Sequence, residues 1–92
     1  MRLWTVWCEY FATGEGISYS AIIGYAKSAK QAKKMYESRF GEYLAIGCEA
    51  KEGVVENAIT KFLFSDEVIK KLKKGEKKAD LFAYAEYHEN RS

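Results

Sequence analysis

The strongest constraint on this fold is a pair of strand-like segments joined by a glycine-containing turn near the N-terminus. Residues 2–11 are rich in aromatic and β-favouring residues, and residues 17–26 resemble them. Between them, Thr13-Gly14-Glu15-Gly16 supplies two glycines, which adopt positive φ at little steric cost and allow a tight reversal. The pattern therefore predicts an antiparallel β-hairpin.

Two amphipathic helices are predicted after the hairpin. Apolar residues recur at helical spacing over 29–40, between an N-cap at Ser28 and a terminating glycine at Gly41. A second helix is predicted to begin at Ser65, where two acidic residues follow the cap and face the positive end of the helix dipole, and to end at Gly75.

The remaining segments complete an alternating pattern. Residues 43–50 and 81–88 are typical of strands, whereas residues 54–64 fit either a helical turn, which we favour, or a short strand. The predicted order is β-β-α-β-α-β. The sequence thus predicts a single α+β domain spanning 1–92, with an antiparallel four-stranded sheet and two helices packed on one face.

Charge and cysteine content narrow the class of protein. The chain carries 15 Lys and Arg against 13 Asp and Glu, a net charge of +2, which is a small excess for a duplex-binding protein. Cys8 and Cys48 are too few for a disulfide-rich secreted domain, so a reducing compartment is expected. No signal peptide is recognisable, and the most apolar stretch, residues 21–26, is too short to span a bilayer. These features predict a cytoplasmic protein that does not associate with membranes.

Strand alternation predicts a binding surface. The helices should cover the face without carboxylates, because burying an unpaired carboxylate costs several kcal/mol. The face left open would mix aromatic rings with acids, and exposed apolar patches of this kind commonly mark interfaces. Its predicted members are Trp7, Glu9, Tyr43, Glu49, Phe82, Tyr84, Glu86 and His88. The anchors to test first would be Trp7, Tyr84 and His88.

Other chemically suggestive groups are better explained as structural. A run of lysines crowds the C-terminal end of the second helix, where it complements the helix dipole and forms a solvated face. Its members are Lys70, Lys71, Lys73, Lys74, Lys77 and Lys78. His88, Cys8 and Cys48 do not stand at metal-ligand spacing, and His88 is predicted on the opposite face from both thiols, so neither a metal site nor a Cys–His nucleophile is expected. No cofactor is predicted.

These observations favour a small non-enzymatic binding protein that uses its aromatic sheet face to contact a partner protein or, as a homodimer, a second copy of itself. The small size of the chain and its lack of catalytic motifs are compatible with a phage or mobile-element accessory protein that inhibits a host defence protein. Three alternatives stay open: a small-ligand or nucleotide-binding module, a single-stranded nucleic-acid binder, which the glutamates on the surface disfavour, and a minimal hydrolase or deaminase-like enzyme.

Overall fold

A computed structural model describes residues 2–12, 16–55, 64–74 and 82–89 of the chain. The elements, in chain order, are β1 (Arg2–Ala12), β2 (Gly16–Ala26), α1 (Ala29–Phe40), α2 (Glu42–Ile46), β3 (Glu49–Glu52), α3 (Asp66–Lys74) and β4 (Phe82–Glu89). The predicted α+β class and antiparallel sheet are confirmed. The described part of the chain has no helix with the length and apolar character needed to cross a bilayer.

The sheet is built around the predicted hairpin. Its order is β3-β1-β2-β4, and every neighbouring pair is antiparallel. β1 and β2 pair along their whole length, from Arg2 opposite Ala26 to Ala12 opposite Gly16, and the turn at 13–15 lies outside the described residues. β3 is much shorter and pairs only with Trp4 to Trp7 of β1.

Helix α1 has the predicted bounds and caps. The Ser28 hydroxyl oxygen accepts a hydrogen bond from the Gln31 amide at 3.2 Å, satisfying one unpaired donor of the first turn. At the other end, Gly41 has a φ of +102° and its amide donates to the Glu37 carbonyl at 2.8 Å. This positive φ explains why glycine ends the helix. Ala32 and Tyr36 form the buried face of the helix.

The third predicted strand is largely wrong. Glu42–Ile46 forms the short helix α2, and only Glu49–Glu52 is a strand. Leu44 and Ala45 pack against the core beneath α1. A short run of apolar residues has no periodicity that separates a buried helical turn from a strand, so packing decides between them. Cys48 consequently precedes β3 instead of lying within a strand.

The placement of both helices on one face is also wrong. One core cluster contains Val6 and Ile22 and packs against α1 and α2. A second contains Ala21 and Ile23 and packs against Phe64 and the Ile69 and Leu72 side chains of α3. Because successive strand residues point to opposite faces, these two cores lie on opposite sides of the sheet. Helices therefore cover both faces.

Buried polar side chains secure this two-sided arrangement. After β3, Thr5 holds the chain to the face of the sheet that carries the second core, which we call the second face. The Thr5 hydroxyl donates to the Gly53 carbonyl at 2.7 Å and accepts from the Val55 amide at 3.1 Å. The Tyr25 hydroxyl donates to the Leu72 carbonyl in the last turn of α3 at 2.7 Å. Sequence patterning predicted α3 itself, but these long-range bonds determine its side of the sheet. The predicted helical turn within 54–64 and the helix end at Gly75 fall mainly or wholly outside the described residues.

Candidate functional site at the edge of β1

The strand register divides the residues predicted to share one open face. Trp7 lies opposite Ala21, and Ala21 lies opposite Ala85. Tyr84 instead lies opposite Ile22, one position along. Residues directly opposite one another in an antiparallel sheet belong to the same face, so Trp7 and Tyr84 belong to different faces.

The other β4 candidates follow Tyr84. Phe82, Glu86 and His88 are opposite Gly24, Ser20 and Ser18, which are register positions of the α1 side. The register assigns these positions and Trp7 to different faces, and the part of these residues in a binding surface stays a prediction. A register shift of one residue reverses the face of a whole strand, and nothing local in the sequence of β4 specifies its offset from β2.

The face that carries Trp7 is not left open either. Trp7 is partly buried and packs against the second core, as Val54 and Val68 also do. Glu9, two positions further along β1, is exposed. The Trp7 side chain therefore contributes partly to the core, whereas Glu9 is exposed to solvent.

Four of the predicted residues, Trp7, Glu9, Tyr43 and Glu49, nevertheless meet at one edge of the sheet. Two adjoining depressions of about 260 Å³ each flank β1 where β3 stops, and both are lined by Cys8, Glu9 and Gly47. We call this region the β1-edge site; its lining residues are Trp7, Cys8, Glu9, Tyr43, Leu44, Ile46, Gly47 and Glu49. Tyr43 reaches it from helix α2 instead of from the predicted strand.

At this site β1 forms the edge of the sheet, because β3 pairs with β1 only as far as Trp7. The Gly53 amide donates to the Leu3 carbonyl at 2.6 Å, so the backbone groups of Leu3 point toward β3. Backbone direction alternates along a strand, so the amide and carbonyl groups of Glu9 and Phe11 also point to this side. Within the described residues, β3 pairs no further than Trp7, and no strand covers Glu9 or Phe11 there.

The two depressions open mainly toward different faces of that edge, although Cys8, Glu9 and Gly47 line both. Trp7, Glu9 and Glu49 line the first one, which lies on the second-core face. The second depression lies against α2 and is lined by Tyr43, Leu44 and Ile46. Glu9 lines both depressions, but Glu49 adds a second carboxylate to the first, whereas Tyr43, Leu44 and Ile46 make the second more apolar.

Helix α2 presents its apolar side chains outward for a geometric reason. Tyr43 and Ile46 are 71% and 82% exposed, although both are large and apolar. Residues three positions apart lie on one side of a helix, and Leu44 and Ala45 occupy the side that packs on the core. Two adjacent exposed apolar side chains beside a sheet edge form a small patch of the kind used in binding.

The charge of the site is negative. Glu9 and Glu49 are exposed and line the same depression, and Glu42 is exposed at the start of α2. Among the described residues that line the two depressions, none is a cation. An anionic ligand would be repelled here, whereas a lysine or arginine side chain would be attracted.

Cys8, which lines both depressions, and Cys48, which belongs to the same core cluster, are poor nucleophiles at neutral pH. Cys8 and Cys48 are each 7% exposed, and burial raises the pKa of both thiols above the ordinary value of 9.0. At Cys8, a hydrogen bond with Tyr36 lowers the pKa, but the effect of burial is larger. At Cys48, the positive charge of nearby Lys33 lowers the pKa, and again the effect of burial is larger. At neutral pH both thiols are protonated, which does not favour covalent catalysis.

Two lysine-rich regions lie elsewhere on the surface. The described part of the predicted lysine run, Lys70, Lys71, Lys73 and Lys74, is exposed on α3, while Lys77 and Lys78 fall outside the described residues. Sequence reasoning missed a shallow hollow at the start of α1, lined by Lys27, Ser28, Lys30, Gln31 and Lys34. Two of its backbone amides are already engaged, because Lys27 donates to the Gln31 side chain and Gln31 donates to the Ser28 hydroxyl.

Sequence reasoning also missed Leu44, Ile46 and Gly47, because it placed them in a strand. The spacing of Tyr43 and Ile46 was the signal for an exposed helical face, although only a helix assignment would have revealed it. The described residues contain no cluster of three or more potential metal ligands. Comparisons with protein-family models, with curated proteins and with solved structures gave no match.

Proposed function

We propose that this chain is a non-enzymatic binding module that captures an extended segment of a partner protein at the β1-edge site. The observation that carries this proposal is the exposed pair Tyr43 and Ile46 beside a sheet edge whose outward backbone groups lack a strand partner among the described residues. Adding a strand to an exposed edge is a recurrent mode of peptide recognition.

The geometry defines how such a segment would bind. It would continue the line of β3 and form hydrogen bonds with the outward backbone groups of Glu9 and Phe11. Its successive side chains would point alternately into the two depressions, because strand side chains alternate between faces. The acidic depression favours a lysine or arginine, and the apolar depression favours a residue such as leucine or valine.

The same geometry gives less support to the alternatives. Small-molecule sites are usually about 300–1,000 Å³ and enclose most of the ligand, whereas each depression here is open and about 260 Å³. The carboxylates of Glu9 and Glu49 would repel the phosphates of a nucleotide or a nucleic acid. A protein segment therefore fits the site better than either.

Several finer predictions belong to this proposal. A phage or mobile-element accessory protein that inhibits a host defence protein would need only such a surface, and a cytoplasmic location suits two free thiols. A homodimer would form if the β1 edge of a second copy occupied the site. The predicted contribution of Tyr84, Glu86 and His88 to binding is a separate proposal. Their register positions belong to the α1 side of the sheet, whereas Trp7 belongs to the other side.

Selection of peptides from a random extended-peptide library would test the proposal. We expect enriched sequences in which basic and apolar residues alternate, and their affinity should fall at least tenfold for Ile46→Lys. Lys71→Glu, on exposed α3, is the matched control and should bind as wild type does. Amide exchange at Glu9 and Phe11 should slow when peptide is bound.

Two results would contradict the proposal. One is a set of enriched peptides that binds wild type and Ile46→Lys equally well. The other is peptide binding that leaves exchange at Glu9 and Phe11 unchanged, because strand addition must protect those amides. Sedimentation of the free protein across a concentration series distinguishes occupation by a second copy from occupation by another protein.

A further inference from the structure

The register of β1 and β3 brings the two cysteines of the chain together. The pairs run from Trp4 opposite Glu52 to Trp7 opposite Glu49. One further step along the same register places Cys8 opposite Cys48, the residue that immediately precedes β3. The two cysteines are 40 positions apart in the chain, so only the tertiary fold makes them neighbours.

The register continued by one step to these residues corresponds to the spacing of a disulfide. The hydrogen bond from the Gly53 amide to Leu3 identifies Leu3 as a hydrogen-bonded position, and alternation assigns Trp7 to the same class. Continued by one step, the register assigns Cys8 and Cys48 to a non-hydrogen-bonded position, where opposing Cα atoms are typically about 4.5 Å apart. Disulfides span Cα separations of about 4.4–6.8 Å.

Packing places the two thiols on the same side of the sheet. Cys8 and Cys48 belong to one core cluster, together with Tyr36, and each is 7% exposed. The chain just before Cys48 lies against Cys8, since a Cβ atom built on Gly47 would be 3.9 Å from the Cys8 sulfur. Cys8 also lines both depressions of the β1-edge site, which gives a small reagent a route to it.

From this juxtaposition we propose that Cys8 and Cys48 are a redox-active dithiol, which a small-molecule disulfide such as oxidised glutathione converts to an intramolecular disulfide. The Cys8 thiolate attacks one sulfur of oxidised glutathione, forming a mixed disulfide and releasing one glutathione thiolate. The Cys48 thiolate then displaces the second glutathione. The two protons lost by the cysteines protonate the two released thiolates, so two reduced glutathione molecules balance one new disulfide.

Intact-mass analysis of the folded protein tests this proposal. After exposure to oxidised glutathione at mildly alkaline pH and quenching with an alkylating reagent in denaturant, wild type should be about 2 Da lighter than the reduced protein and carry no alkyl group. Cys8→Ala and Cys48→Ala retain apolar packing in the core and cannot form the bond. Any remaining thiol that reacts in these variants should stop at a glutathione adduct.

The opposing outcomes are equally distinct. Wild type that takes up two glutathiones, or that keeps two alkylatable thiols after prolonged exposure, would overturn the proposal. Circular dichroism before and after oxidation verifies that the protein reacts in its folded state. Wild type unfolded in urea serves as the chemical control, because its thiols are freely accessible to the same reagent.

Discussion

The Thr5 hydroxyl provides the sharpest test of the two-sided fold. Thr5 is fully buried, and its hydroxyl donates to the Gly53 carbonyl and accepts from the Val55 amide, at 2.7 and 3.1 Å. Thr5→Val preserves the side-chain shape but removes both hydrogen bonds. A typical intramolecular hydrogen bond contributes about 0.5–1.5 kcal/mol, so the loss of two should lower the free energy of unfolding by about 2 kcal/mol.

Urea and thermal denaturation measure that change. For a domain of this size, 1 kcal/mol corresponds to about 4–8 °C in Tm, so a decrease of about 8–16 °C is expected. Ser38→Ala is the matched control, because the Ser38 hydroxyl donates to Lys34 within an exposed helix turn. Its effect should remain within about 0.5 kcal/mol.

A structural readout separates this reasoning from general destabilisation. The Val55 amide loses the Thr5 hydroxyl as an acceptor in Thr5→Val, so its hydrogen exchange should accelerate more than that of amides within the β1–β2 hairpin. Thr5→Val with wild-type stability and unchanged exchange at Val55 would refute the claim that this hydroxyl holds the chain on the second face.

The remaining predictions concern the helix cap, the charge of the site and the response to pH. Ser28→Ala removes the N-cap of α1 and should cost about 1 kcal/mol in urea denaturation, whereas Ser28→Gly should cost only a few tenths. Glu9→Lys should weaken binding of a basic and apolar peptide about two- to fivefold at low salt, with unchanged Tm, and a salt-independent loss would contradict an electrostatic cause. Burial raises the pKa of Cys8 and Cys48 above 9.0, so the folded state retains protons that the unfolded state loses, and stability should fall as pH rises above 9.0. The neighbouring groups that affect the pKa of these thiols include Tyr36, Glu9, Lys33 and Glu37. Burial also raises the pKa of Tyr36, so Tyr36 contributes to the same loss of stability. The Cys8→Ala/Cys48→Ala variant should therefore lose stability less steeply as pH rises, but the loss should not disappear.

Local sequence determined the elements whose causes lie within a few residues. The hairpin follows from two strand-forming segments separated by glycines, and β1 and β2 pair as that pattern predicts. Helix α1 begins after Ser28 and ends at Gly41, because a hydroxyl acceptor and a positive φ are properties of those single residues. Helix α3 likewise begins directly after the predicted Ser65 cap.

Part of the β1-edge site was also predictable, although for an incomplete reason. Trp7, Glu9 and Tyr43 were chosen as members of one open sheet face, and all three line the depressions beside β1. Tyr43 lies there because α2 follows Gly41, and its neighbour Ile46 became visible only with that helix. Glu49 reaches the site through its pairing with Trp7.

Tertiary structure alone decided the rest. The register of β4 placed Tyr84 opposite Ile22, the Thr5 and Tyr25 hydrogen bonds placed α3 on the second face, and the β1–β3 register placed Cys8 opposite Cys48. Each of these outcomes depends on contacts between residues far apart in the chain. Alternation specifies which residues of one strand share a face, but the pairing of that strand with its neighbours decides which residues of different strands meet.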